Sequence, residues 1–372
     1  KHIQTTFLAA LLFATTLSAQ QVGGRWSFPF EYHGEAGDKL GNKLSGAGDI
    51  NQDGYEDIII GADRAGSGGE AYVYSGLDGS LLLHFDAPSA GTFFGSAVDG
   101  AGDVNADGYP DVIIGAQWAS PGGISYAGST YIYSGLDGEL IYQFDAPNGA
   151  RKFGNAVAGV GDVNLDGFDD VLIGAYWDSG SAFLYSGLDG SLLLSFAAFQ
   201  VNDMFGVSVA GAGDVDLDGH NDLLIGAWKA DPNGLVDAGS AYVFSGSDGS
   251  LVLSIHGAQA GDNFGVTVAN ASDIDDDGVP DQFIGAYSAS PGATPLAGSA
   301  FVYSGAKETV LFQLDGEEPG DRLGSGLDAG MDVSGDGVPD LLVGAGLVNL
   351  PGVPAGGSAY LFDGSSGMLI QR

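Results

Sequence analysis

The 372-residue chain contains no cysteine and only 11 Lys and Arg against 48 Asp and Glu. The first absence excludes disulfides, thiolate metal sites and cysteine nucleophiles. It leaves a secreted origin open, because bound Ca²⁺ can staple a fold as a disulfide does. The second absence leaves a net charge of −37. A polyanion of this size is a poor partner for nucleic acid or for an anionic membrane face. Long apolar runs are also missing. The one candidate, Phe7–Phe13, is too short to span a bilayer. It sits between a basic start and Leu17-Ser18-Ala19, so residues 1–19 read as a secretory signal peptide. After it no helical periodicity is sustained.

What is abundant is glycine, at 65 residues, and acidic side chains in a fixed frame. The frame is clearest at Asp103, Asn105, Asp107, Gly108, Tyr109 and Asp111. Carboxylate or amide side chains at alternate positions of a tight loop point inward together. The glycine permits the sharp turn, the carbonyl of Tyr109 supplies a backbone oxygen, and Asp111 closes the shell. Hard cations such as Ca²⁺ take six to eight oxygens of this kind. The start resembles an EF-hand loop, but the last ligand stands at position nine and no helix flanks it.

The frame occurs six times. The first copy is Asp49, Asn51, Asp53, Tyr55 and Asp57; the third is Asp162, Asn164, Asp166, Phe168 and Asp170. The fourth is Asp214, Asp216, Asp218, His220 and Asp222; the fifth is Asp273, Asp275, Asp277, Val279 and Asp281. The sixth is Asp332, Ser334, Asp336, Val338 and Asp340, and Ser334 marks it as the weakest site. One such loop is as readily an Asx-rich turn. Six in one register point to about six Ca²⁺ sites. They hold 20 carboxylates, so part of the charge is accounted for locally.

Each loop belongs to a longer repeat. A Phe-Gly or Leu-Gly pair opens the units near residues 40, 94, 153, 205, 264 and 323. The first loop Asp falls eight residues after that Gly, and a Gly-Ala pair falls twelve residues after the Asp. Within a unit four strands are expected. The first carries small residues, as in Ser96–Ala101. The second is β-branched, as in Asp57–Ile60. The third alternates, as in Ala71–Ser75, and a hairpin leads to the fourth, as in Leu140–Phe144. Four-stranded units of this length predict an all-β β-propeller.

These motifs at these spacings resemble the FG-GAP repeats of the N-terminal β-propeller of integrin α subunits. The resemblance covers about residues 26–372. It implies a calcium-binding adhesion or ligand-binding module, secreted or on the cell surface. Trp26–Phe30 reads as a fourth strand without preceding inner strands, so a seven-bladed ring with an incomplete seventh blade is favoured over six blades. Loops between second and third strands share a face with the inter-unit linkers, opposite the metal loops. By the resemblance, that face takes a protein or glycan ligand. Trp118, Tyr176, Trp177, Trp228 and Tyr287 collect there, with Arg151, Lys152 and Lys229. A lectin-like propeller is one alternative reading, and the non-catalytic repeat region of a larger secreted hydrolase is another. None of the five His is framed with a nucleophile and no Ser sits in a nucleophile elbow, so no catalysis is expected.

Overall fold

The structure is a computed structural model. It describes residues 20–22, 25–27, 30, 32–147, 149–178, 180–348 and 356–372. The signal-peptide reading of residues 1–19 lies outside them. Alternating apolar residues and glycine-rich turns fold into six four-stranded antiparallel sheets, each built from consecutive strands. The described residues therefore form a six-bladed β-propeller, not the seven-bladed ring favoured from the sequence. Blade one comprises Lys43–Gly48, Asp57–Ala62, Glu70–Tyr74 and Leu81–Asp86 from the axis outward. The remaining five blades repeat the order, ending with Leu323–Met331, Asp340–Ala345, Ser358–Phe362 and Leu369–Gln371.

The second strand of each blade is the most deeply buried; Asp111–Ala116, Asp170–Ala175, Asp222–Ala227 and Asp281–Ala286 are buried at every position. Both faces of these strands carry apolar cores shared between neighbouring blades, as where Ile59, Val73 and Phe94 join Ile114 and Tyr131. This explains the β-branched runs in the sequence: a strand covered on both sides needs apolar residues at consecutive positions.

The repeated Gly-Ala pair has a steric reason. A Cβ on Gly115 would lie 2.0 Å from the carbonyl oxygen of Gly154 in the next blade. The same close approach joins Gly61 to Gly95, Gly174 to Gly206, Gly226 to Gly265 and Gly285 to Gly324. Both glycines of the repeat are thus places where two blades touch through their backbones. The sixth blade differs. Gly344 meets only Gly326 of its own sheet, and the close packing that joins successive inner strands is not repeated between the sixth blade and the first.

The chain's entry also differs from the strand expected over Trp26–Phe30. Arg25–Ser27 pairs with Gln20–Val22 in a separate two-stranded ribbon instead of joining a blade. Beyond the ribbon, Tyr32 lies 4.1 Å from Tyr74, and Phe30 packs where a Cβ on Gly79 would stand. Phe85 on Tyr133, Phe144 on Tyr185 and Phe196 on Phe244 repeat the same contact between successive blades. Phe30 and Tyr32 therefore cover the outer part of blade one as a preceding fourth strand would, and no inner strands accompany them among the described residues.

Candidate metal centres and the opposite face

The six acidic loops join first and second strands, so they lie together at one end of the blades. Side chains tie successive loops to one another. Gln52 donates to the Gly108 carbonyl at 2.9 Å, and Asp169 accepts from the Asp103 amide at 2.8 Å. His220 Nδ1 lies 2.6 Å from the Val163 carbonyl oxygen. Beside the loops, Gln282 in the second strand of blade five donates to the Ala212 carbonyl in the first strand of blade four at 3.2 Å.

Within each loop the backbone wraps around the first carboxylate. In the second loop Asp103 accepts from the amides of Asp107 at 3.0 Å and Gly108 at 2.9 Å. The glycine at position six has φ near +90° throughout, as at Gly108 (φ 91) and Gly219 (φ 94), where a side chain would be strained. Position nine does a second job that spacing does not reveal. Asp111 is wholly buried and accepts from Val104 at 2.9 Å and from Gly135 at 3.0 Å. Gly135 belongs to the turn between third and fourth strands, so this carboxylate clamps the loop to the outer half of its own blade. Asp57, Asp170, Asp222, Asp281 and Asp340 make the same pair of contacts. Burial pushes the Asp111 carboxyl up to about 7, against the opposing pull of the Gly135 and Val104 amides.

The residues fit a hard cation. Ligand atoms of Asp214, Asp216 and Asp218 lie within 4.8 Å of one another, and so do those of Asp273, Asp275 and Asp281. Packing uncompensated carboxylates this closely is costly without a positive charge among them. In the fifth loop a cation is visibly supplied by the chain: Lys307 Nζ sits 2.6 Å from Asp275 and 3.0 Å from Asp277. The other five loops have no such internal counter-ion among the described residues. Their side-chain oxygens and the carbonyls of Tyr55, Tyr109, Phe168, His220 and Val338 are the groups that would hold Ca²⁺. Such an ion would neutralise the loop and fix it against its blade.

The opposite end carries different chemistry. Here the loops after the second strands meet the linkers: Trp118 N–H donates to Thr92 at 3.1 Å, and Lys229 N–H to Asp203 at 3.1 Å. The aromatic candidates fall into two groups. Trp118 and Trp177 gather around Lys152, whose Nζ lies 3.8 Å and 5.8 Å from their ring centres. Tyr176 packs edge-on to Trp177, at 6.1 Å between rings. Trp228 and Tyr287 form the second group, 6.3 Å apart, with Lys229 over one ring and Arg322 over the other. Trp118 and Trp177 are 38% and 46% exposed, whereas Tyr176, Trp228 and Tyr287 are half-buried.

Lys152 is only 6% exposed, and no carboxylate pairs with it among the described residues. Its ammonium faces ring quadrupoles instead, and burial lowers its pKa to about 8. Tyr126, 50% exposed and 5.3 Å from Lys152, completes this group and escaped the sequence reading. So did Phe93, 4.5 Å from Trp118. Each stands in the chain away from the Gly-Ala pair that marked the others. Arg151 is exposed beside this group.

Comparison with known proteins agrees with this architecture. The FG-GAP repeat family matches residues 41–74 and 94–133, and a second FG-GAP repeat family matches residues 199–244. Integrin alpha-4 of Xenopus laevis is 31% identical over 213 residues, which is 52% of this chain and 20% of that protein. Integrin alpha-V of Gallus gallus is 30% identical over 203 residues, 50% of this chain and 20% of that protein. The matched part thus spans about a fifth of the length of these relatives. The crystal structure of Saccharomyces cerevisiae Sqt1 superposes with a TM-score of 0.52 at 10% identity, covering 82% of this chain and 69% of that one, a likeness of fold alone. No helix among the described residues is long and apolar enough to cross a membrane.

Proposed function

We propose that this FG-GAP repeat protein, an integrin-like propeller, is a calcium-stabilised extracellular binding module whose ligand, a protein or a glycan, docks on the face opposite the acidic loops. The observation that carries the reading is the division of labour between the ends of the blades. At one end carboxylates are drawn into backbone hydrogen bonds and held ready for a cation. At the other, Trp118, Tyr126 and Trp177 stay exposed around a desolvated lysine. Partly exposed indoles and phenols give a large contact area with little side-chain entropy to lose. The similarity to integrin α subunits supports adhesion, and millimolar extracellular Ca²⁺ suits loops of this type.

In this account Ca²⁺ is structural, and recognition is non-catalytic. The exposed indoles also favour a lectin-like variant, in which Trp118 and Trp177 stack on sugar rings. Binding of the protein with Ca²⁺ present to immobilised matrix proteins and to a glycan array tests both versions. Ligand capture that is lost in W118A/W177A, with unfolding temperature unchanged, supports the assignment of the face. Capture unaffected by the double substitution overturns it. The class of surface that retains the protein decides between protein and glycan.

A further inference from the structure

We propose that blade one carries a transition-metal site, suited to Zn²⁺, formed by Glu70, His84 and Asp86 and separate from the calcium loops. The three residues stand on the paired third and fourth strands, where Glu70 faces Asp86 and Tyr72 faces His84 across the ladder. His84 Nε2 is 3.3 Å from a Glu70 carboxylate oxygen and 3.9 Å from one of Asp86. One ligand atom from each lies within 4.8 Å of the others. A tetrahedral zinc ion, with bonds of about 2.0–2.2 Å to nitrogen and oxygen, separates its ligand atoms by roughly 3.4 Å. The observed edges match that spacing with small side-chain movements.

Nitrogen in the donor set is what distinguishes this site from the loops. Ca²⁺ takes six to eight oxygens, whereas one imidazole and two carboxylates suit a borderline ion of lower coordination number. The surroundings hold the ligands as a metal site requires. Tyr72 stacks flat on the imidazole, with ring centres 4.6 Å apart and planes 3° from parallel, and its hydroxyl donates to Glu70. The other Glu70 oxygen lies against Gly66, where a Cβ would stand 2.6 Å away.

The same ladder position in other blades shows what is unusual here. Ser129, Ser240 and Ser299 replace Glu70 and hydrogen-bond Asp145, His256 and Asp315 across the strands. Those serines are at most 1% exposed. In blade one the longer Glu70 side chain reaches His84, and the side chains of His84 and Asp86 are 38% and 78% exposed, as Gln143 and Asp145 are exposed at the same positions of blade two. Three protein ligands and an open fourth position result, available to water or to a group brought by a partner.

The test uses the whole chain saturated with Ca²⁺ and Co²⁺ as a spectroscopic stand-in for Zn²⁺. One equivalent of Co²⁺ with the intense visible absorption of a tetrahedral site is expected, displaced by Zn²⁺ and retained in millimolar Ca²⁺. H84Q, which installs the residue that blades two and five carry as Gln143 and Gln313, is expected to weaken Co²⁺ binding at least about 100-fold through loss of a direct ligand, more than the loss of a hydrogen-bond partner to a ligand costs. E70S, the residue of the other blades, is expected to do the same, and neither is expected to move the unfolding temperature. Absence of the band, or an effect of H84Q below tenfold, overturns the site and leaves Glu70 and His84 as a surface ion pair.

Discussion

The two ends of the blades solve the problem of charge in opposite ways. At the loop end, negative groups are brought together and wrapped in amides. Asp222 accepts from Val215, Asp216 and Gly246, and nothing of it reaches solvent. At the linker end, positive groups are set over aromatic rings: Arg64 over Phe93, Lys152 over Trp118, Lys229 over Trp228 and Arg322 over Tyr287. The difference is instructive about where function can reside. Backbone amides satisfy these carboxylates, and an ion bound there would complete a rigid loop. Around Lys152, itself 6% exposed, the rings of Trp118, Tyr126 and Trp177 remain 38–50% exposed. On the proposed reading, one end holds the fold and the other meets a ligand.

Substitutions can break this contrast. The largest effect is expected at position nine. D222A strands three backbone amides, each costing about 1–3 kcal/mol when left buried and unpaired. A loss of about 3 kcal/mol or more should appear in urea unfolding, with or without Ca²⁺. A loss below about 1 kcal/mol would mean that the clamp is incidental. At the other end, W118A/W177A is expected to leave unfolding unchanged and to weaken ligand capture more than about tenfold, as loss of aromatic anchors does.

A smaller effect sharpens the loop end alone. Lys307 occupies a turn position held by Asp78, Asp137, Asp189 and Asp248 in the first four blades. It competes with any ion for Asp275 and Asp277, so the fifth loop should be the weakest Ca²⁺ site, below the sixth with its Ser334. K307D should raise affinity there by about tenfold, read by calorimetric titration, through removal of a cation in direct contact with two ligands. Unchanged affinity would show that the lysine yields to the ion at no cost.

A pH-dependent effect lies on the axis between the ends. Asp99 bonds Ser45 of blade one and the Gly159 amide of blade three, and burial pushes its carboxyl up to about 7. A raised carboxyl favours the folded state while protonated. Its contribution is therefore greatest at low pH and falls between about pH 4 and pH 7. Wild type should lose stability relative to D99N across that window, measured by urea unfolding at each pH. A constant difference would show that Asp99 titrates normally.

Much of this was legible in the chain because a repeat displays its own register. The Gly-Ala pairs and Asp frames recur at fixed spacing, and spacing along a strand converts directly into position within a blade. The same logic failed where contacts depend on pairing between strands or on loop folding. Glu70 and His84 are 14 residues apart and meet only through the ladder. Lys152 meets Tyr126 only because the loop after the second strand folds back onto the linker, with Lys152 N–H donating to the Tyr126 carbonyl. The position-nine clamp was hidden differently: an Asp that serves a metal and an Asp that serves amides look identical in sequence. The strand expected at Trp26–Phe30 failed because the nearer partner, Gln20–Val22, takes Arg25–Ser27 into a local ribbon.

The central claim is that Ca²⁺ in the acidic loops holds the propeller together. It is tested most directly by thermal unfolding in millimolar Ca²⁺ and after chelation, with the bound ions counted by mass spectrometry of the metal content. Each site filled at 100 times its Kd contributes about 2.7 kcal/mol. For a large domain 1 kcal/mol moves Tm by about 2–4 °C. About six Ca²⁺ bound and a fall in Tm of more than about 10 °C on chelation are the predicted results. An unchanged Tm with no Ca²⁺ bound would contradict the account and leave six self-sufficient turns.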